Sequence, residues 1–187
     1  GTVPLAIIAH PSAPAGTVAA LVALARSKPD QLTMASFGAG TSSHFVGELF
    51  KSQTGIRMVH VPYKGSAPMM QDLIGGPIPF AVDTALAAAP QAQAGRIKVL
   101  AVSSPKRASN LPDAPTLAES GLPGFDLTAW GALVAPRGLP AEVRTALVRS
   151  LAAAMATPAM REDLRRVGIE LLDEPPSAYE ARVNREL

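Results

Sequence analysis

Ser36-Phe37-Gly38-Ala39-Gly40-Thr41-Ser42-Ser43-His44 is the stretch on which the fold turns. It continues from Leu32-Thr33-Met34-Ala35-Ser36, a short run with the texture of a strand, and leads to Phe45, Leu49 and Phe50, which share one face of a helix. A strand running through a loop of small residues into a helix is half of a strand–helix–strand unit. In an open parallel sheet, groups beyond the carboxyl end of a strand line the ligand crevice. The helix that follows adds unpaired N–H groups and a partial positive charge. Gly38 and Gly40 allow close approach to the backbone, and Thr41, Ser42 and Ser43 supply neutral hydroxyl donors, so the stretch suits a carboxylate or a phosphate. It is not a Walker loop, because Gly-Lys-Ser/Thr is missing. The same residues also read as a plain helix start with capping hydroxyls.

Outward from this loop the alternation continues. Leu5–Ala9 is a short apolar run of a buried strand, followed by a helix that Thr17 can cap, with Val18, Leu21, Val22 and Ala25 at helical spacing. After the loop come a strand at Ile56–Val61, a turn at Pro62–Gly65 and a helix at Ala67–Ile74. A strand at Ile78–Val82, a helix at Ala85–Ala94 and a strand at Ile97–Val102 close the series. This predicts an α/β fold with a five-stranded, mostly parallel sheet over residues 1–103, flanked by helices, with Leu32–Ser36 and Ile56–Val61 as parallel neighbours. From Ser103 prolines replace periodicity, so 104–125 reads as a crossing segment with one short helix, Leu117–Ser120, capped by Thr116. Beyond it the pattern predicts a strand at Trp130–Ala135 and an amphipathic helix at Ala141–Ala156 with Val143, Leu147, Leu151 and Met155 on its apolar stripe. A helix opening at Thr157-Pro158, a strand at Ile169–Leu172 and a last helix from Ser177 follow.

Composition narrows the function classes. With 187 residues, 48% hydrophobic and 17% charged, the chain has material for a sizeable core and is not a disordered segment. Its 15 glycines and 18 prolines are scattered between periodic segments, which is turn punctuation. A net charge of +2 and 4% aromatic residues leave neither a basic face nor stacking platforms, so nucleic acid is not an expected partner. No apolar run approaches the roughly 18 residues of a membrane span. The pattern of a signal peptide is not present in the chain. Zero cysteines exclude disulfides, thiolate nucleophiles and the common structural zinc sites.

Other residues carry candidate chemistry. His44 beside Ser42 and Ser43 invites a serine hydrolase reading, but a nucleophile elbow reads Gly-x-Ser-x-Gly, and here the order differs. His10, His44 and His60 show no His-x-x-x-His spacing, so no metal site is expected. Tyr63 and Lys64 lie just past one strand, and Asp83 and Thr84 at the end of another on the same rim, where Asp83 also reads as the cap of the next helix. Arg161, Arg165 and Arg166 alternate with Glu162 and Asp163 as a solvated helix face.

Several stretches in this order resemble the substrate-binding proteins of tripartite tricarboxylate transporters, the Bug family of periplasmic receptors. They are Leu32 to His44 with Gly47-Glu48-Leu49-Phe50, then Val59-His60-Val61-Pro62-Tyr63-Lys64-Gly65-Ser66, Ala94 to Val102, Pro112 to Gly121 and Trp130-Gly131. The resemblance implies a periplasmic-binding-protein-like (type II) architecture of two α/β lobes that close on a small carboxylate, without catalysis and without a cofactor. The Pro-Phe and Gly-Gly-x-x-Asp loop that opens the family's first lobe does not occur here. On this reading residues 1–103 form the complete second lobe, 104–125 cross over, and 126–187 return as the C-terminal portion of the first. The ligand contacts it implies fall on Ser36, Gly38, Gly40, Thr41, Ser42, His44, Tyr63 and Asp83, with Lys64 beside them. The implied partners are a small carboxylate (di- or tricarboxylate, acidic amino acid or aromatic acid) and the membrane components of the transporter, in the periplasm. An incomplete lobe also implies self-association. A ligand-sensing module for a signalling receptor remains the alternative within binding proteins, and a Ser/His hydrolase the alternative outside them.

Overall fold

A computed structural model describes residues 1–172 and 176–186. Its sheet is built around Leu5–Ala9 (β2), preceded by the short strand Thr2–Val3 (β1). All five residues of β2 have no exposed surface. Successive side chains of a strand point to opposite faces, so Leu5, Ile7 and Ala9 enter one core and Ala6 and Ile8 the other. A strand covered on both faces has no polar side to display, which is why it reads as an unbroken apolar run.

Thr33–Ser36 (β3), Val59–Pro62 (β4), Phe80–Thr84 (β5) and Lys98–Val102 (β6) complete a five-stranded sheet in the order β4-β3-β5-β2-β6. Helices Val18–Ser27 (α1) and Ser42–Thr54 (α2) cover one face, where Leu21, Val46 and Phe50 pack with Ile7, Phe80 and Val82. Ser66–Gly75 (α3) and Ala85–Gln93 (α4) cover the other, where Met69, Leu73 and Ala88 pack with Ala6, Ile8 and Ala81. Thr17 caps α1 as the sequence predicts, accepting from Ala20 N at 3.2 Å.

The expected parallel pair is present, in register from Thr33 opposite Val59 to Ser36 opposite Pro62, and β3 also pairs in parallel with β5. One strand differs: β2 is antiparallel to both β5 and β6, so the sheet is mixed, with four strands running one way and β2 against them. Because β5 lies between β2 and β3, α1 joins two strands that are not neighbours and need not return the chain to its starting end.

The last part of the chain holds Ala129–Trp130 (β7), Ala141–Ala156 (α5), Pro158–Arg166 (α6) and Pro176–Glu186 (α7). Thr157 caps α6 with Pro158 in the first turn, as expected. Three expectations are corrected. The strand over Trp130–Ala135 shrinks to β7, which pairs with β1, and Leu133 and Val134 stay exposed because, among the described residues, no further strand lies beside them. The helix at Leu117–Ser120 is a turn: Thr116 and Glu119 do cap each other, with Glu119 N on Thr116 Oγ1 at 3.0 Å and Thr116 N on Glu119 Oε2 at 2.7 Å. Leu117 N, however, donates to Val102 O across the sheet edge, and Gly121 at φ 100° ends the turn. The strand at Ile169–Leu172 is a single bridge, Glu170 to Thr2.

Candidate functional site

Because β4, β3 and β5 are adjacent and parallel, their carboxyl ends form one rim. It carries the loop after Ser36, the turn Tyr63–Gly65 and the pair Asp83–Thr84. Two backbone bonds lock the first two segments together, Tyr63 N to Ser36 O at 2.9 Å and Gly65 N to Phe37 O at 3.0 Å.

The glycine loop spends its hydroxyls on itself. Gly38 O accepts from Thr41 Oγ1 at 2.7 Å and from Ser36 Oγ at 3.1 Å. The buried Ser43 Oγ accepts from Phe37 N at 3.1 Å and lies 3.0 Å from Thr41 Oγ1. A Cβ on Gly38 would stand 2.9 Å from Thr41 Cγ2, so the turn is tight there. Gly40 has φ 74° and nothing within 4 Å of where a Cβ would be, which leaves open space over its backbone. Its N–H is engaged, donating to His44 Nδ1 at 3.1 Å. Thr41 is the N-cap residue of α2, yet its side chain makes no capping bond. Gly65, the N-cap residue of α3, has no side chain to do so. Helices α1 and α4, by contrast, are capped by Thr17 and Thr84. Two adjacent helix starts on the rim therefore present first-turn N–H groups without a side-chain partner, the arrangement that favours an anion.

Ser42 is the half-buried first residue of α2, and with the exposed Phe45 it forms one wall of an open cleft of about 820 Å³. The other side is the segment Asp126 to Trp130, with Arg182 of α7. Trp130 meets the ring of Tyr179 edge-on at 5.5 Å.

Asp83 does not cap α4, contrary to one sequence expectation; Thr84 does, accepting from Ala87 N at 3.2 Å. Asp83 is fully buried, with Oδ2 accepting from Ser66 Oγ at 2.6 Å and Oδ1 from Thr84 N at 2.7 Å. Burial pushes its pKa up, and the two hydrogen bonds oppose the shift without cancelling it. A carboxyl raised in the folded state contributes stability that is present at low pH and lost as pH rises through the folded value. Asp83→Asn keeps both contacts, its amide oxygen for Thr84 N–H and its NH2 for Ser66. Between roughly pH 4 and neutrality, the stability difference should shift steadily in favour of the variant. Urea denaturation at the two pH values checks this, and an unchanged difference would refute it.

Tyr63 turns its phenol along α3, donating to Asp72 Oδ2 at 2.6 Å; that bond to a carboxylate is the main cause of a pKa raised to about 12. Lys64 is exposed.

The sequence reading missed His60. It stands on β4 opposite Met34 of β3, with Nε2 at 2.7 Å from Ser36 Oγ, and its ring stacks on His44 with centroids 3.9 Å apart and planes at 12°. Its only signal in the sequence is a polar residue between Val59 and Val61 in a strand. Glu48 Oε1 lies 3.4 Å from His44 Nε2 and 2.6 Å from Lys51 Nζ. His44, Glu48 and His60 thus bring potential ligand atoms within 4.8 Å of one another. Imidazole lone pairs lie in the ring plane, so two nearly parallel stacked rings do not aim at one ion about 2 Å away. Among the described residues neither Ser42 nor Ser43 hydrogen-bonds to His44, and Ser36, which does meet His60, is buried away from an incoming substrate.

Comparison with known proteins agrees with this architecture. Residues 1–182 match the tripartite tricarboxylate transporter family receptor, TctC. A UPF0065 protein of the tcbD-tcbE intergenic region of Pseudomonas sp. (strain P51) is 36% identical over 157 residues, which cover 83% of this chain and 47% of that protein. Rpa4515 of R. palustris with adipate is 37% identical with a TM-score of 0.91, and the periplasmic binding protein BugD 35% with 0.88. MatC from Rhodopseudomonas palustris with bound malate is 26% identical with a TM-score of 0.84. Each of these three structures covers 99% of this chain, which in turn covers 62% of the first two and 64% of the third. The chain spans about half the length of the curated relatives it matches. With its α/β sheet flanked by helices and a match running from the first strand into the last helix, this chain belongs to the TctC family of tripartite tricarboxylate transporter receptors and has their periplasmic-binding-protein fold.

Proposed function

We propose that the chain is the ligand-capturing part of a periplasmic solute receptor for a small dicarboxylate, working without catalysis and handing its ligand to the membrane components of a tripartite tricarboxylate transporter. The observation that carries this reading is the pair of helix starts, α2 and α3, left without a side-chain cap on one rim. In this reading one carboxylate rests on the first-turn N–H groups at Ser42 and its hydroxyl, beside the open backbone of Gly40. Ser36, Gly38, Thr41 and His44 keep that loop in shape. Asp83, buried behind the rim, holds the start of α3 through Ser66, and Tyr63 braces α3 through Asp72. Residues 1–103 act as one lobe of the trap and 126–187 as part of the other, with 104–125 crossing between them. The relatives solved with adipate and with malate support a dicarboxylate as the ligand class. Charge-assisted hydrogen bonds contribute about 1.5–3 kcal/mol each, so a few neutral donors hold a carboxylate without a buried arginine.

The test is calorimetric titration of a receptor carrying this chain with adipate, malate and citrate. A dicarboxylate should bind, and Ser42→Ala should weaken it by about 0.5–1.5 kcal/mol, roughly two- to tenfold. Gly40→Val, which fills the open approach and also strains a backbone held at φ 74°, should weaken it further while circular dichroism stays unchanged. Binding of no carboxylate, or equal affinity in both variants, would overturn the assignment.

A further inference from the structure

The glycine loop is held at both ends by histidines, and the two histidines touch. At one end Gly40 N donates to His44 Nδ1 at 3.1 Å. An acceptor nitrogen must carry its lone pair, so the neutral ring of His44 bears its proton on Nε2, which faces Glu48 Oε1 at 3.4 Å. At the other end Ser36 Oγ lies 3.1 Å from Gly38 O and 2.7 Å from His60 Nε2, and so bridges the loop to the second ring. The rings stack at 3.9 Å, a separation at which two imidazolium charges repel strongly.

We infer that His44 and His60 are positioning residues that act as a proton-operated clamp on the loop: the neutral pair holds Gly38–Gly40 in the shape described, and a single proton, taken up by His44 on acidification, releases Gly40. This concerns the loop itself and goes beyond the proposed ligand. Protonation puts a hydrogen on His44 Nδ1, directly against the N–H of Gly40. Two donors then face each other and the bond is lost. Gly40, with open space around it, is free to turn.

The surroundings decide which ring takes the proton. The small cavity that holds both rings is lined by Met34, Ala35 and Ser36 of β3, by Ser43, Gly47, Glu48 and Lys51 of α2, and by the histidines. Its charged groups are therefore Glu48 and Lys51, and these pair with each other at 2.6 Å. His60 is held below the ordinary imidazole range first by burial, then by His44 and Lys51, with Glu48 opposing. His44 has the carboxylate of Glu48 at its outer nitrogen, 3.4 Å away, and the stack disfavours a second charge in the pair.

Nuclear magnetic resonance on the 187-residue chain tests this without any ligand. From pH 8 to pH 5 the Gly40 amide should shift with the same midpoint as the His44 ring, and at pH 8 His44 should carry its proton on Nε2. His44→Gln should abolish the Gly40 response. His44→Gln should also move the His60 midpoint upward, because one of the charges that holds His60 down is then gone, an effect that a merely structural role would not produce. A Gly40 amide that is flat across the range, a midpoint different from that of His44, or a His60 midpoint unmoved in His44→Gln would each overturn the clamp. If a variant fails to fold, coincidence of the Gly40 and His44 midpoints in the parent decides alone. These readouts do not involve carboxylate binding, so failure of the clamp and failure of the receptor reading are separable.

Discussion

Phe50→Ala will cost the fold about 3–5 kcal/mol, a large fraction of the roughly 5–15 kcal/mol by which a domain is stable. Phe50 has no exposed surface and sits on the inner face of α2 with Val46, against Phe80 and Val82 of the sheet. Truncation removes the transfer energy of the ring and leaves a cavity, and in a close-packed layer neither neighbour collapses fully into the gap. The effect reaches the site, because the same helix presents Ser42 and His44 at its other end. Urea denaturation should show the midpoint falling sharply with an unchanged slope. A loss below about 1 kcal/mol would mean that α2 is not anchored through this ring.

The second large effect concerns assembly. On α5, Val143, Leu147, Val148 and Leu151 are 39%, 54%, 52% and 37% exposed, and no residue of this helix is buried. Leu133, Val134 and Met160 are exposed as well. A fully buried leucine is worth about 1.5–3 kcal/mol over an exposed one, so this stripe has much to gain from any covering surface. The 187-residue chain should therefore self-associate, with a mass by light scattering that rises with concentration above 19.3 kDa. Leu147→Glu with Leu151→Glu should return it to the monomer without loss of helix content. A parent that stays monomeric at high concentration would show that the stripe is too broken to support contact. In the solved relatives more than a third of the chain lies outside the match, ample material to cover such a face in a longer protein.

Element types were legible in the sequence where the burial was simple. Leu5–Ala9 is buried on both faces and shows as an apolar run, and Thr17 and Thr157 mark the helix starts they cap. Strand direction was not legible, because an apolar run reads alike either way and the direction of β2 is set by pairing with β5 and β6, more than 70 residues away. The strand expected at Trp130–Ala135 stops early for a related reason: beyond Trp130, Leu133 and Val134 have no strand beside them among the described residues. At the site, the rim and the grouping of the loop, the Tyr63 turn and Asp83 followed from parallel strand order alone. The direction in which each hydroxyl points did not follow, since Thr41 reads as a capping threonine and instead binds Gly38 O. His60 was missed because its partners, Ser36 and His44, come to it from another strand and another helix.

The inward turn of the loop's hydroxyls has an evolutionary corollary. Ser36, Thr41 and Ser43 serve the loop's own backbone, so what the loop offers outward is mainly peptide N–H, which is the same in every sequence that keeps this shape. Substitutions at Phe45 and along Asp126 to Trp130, on the walls of the cleft, change its size and polarity without touching that grip. The fold thereby separates what can drift from what cannot: a fixed main-chain anchor for the charged end of a ligand, and an interchangeable lining for the rest of it.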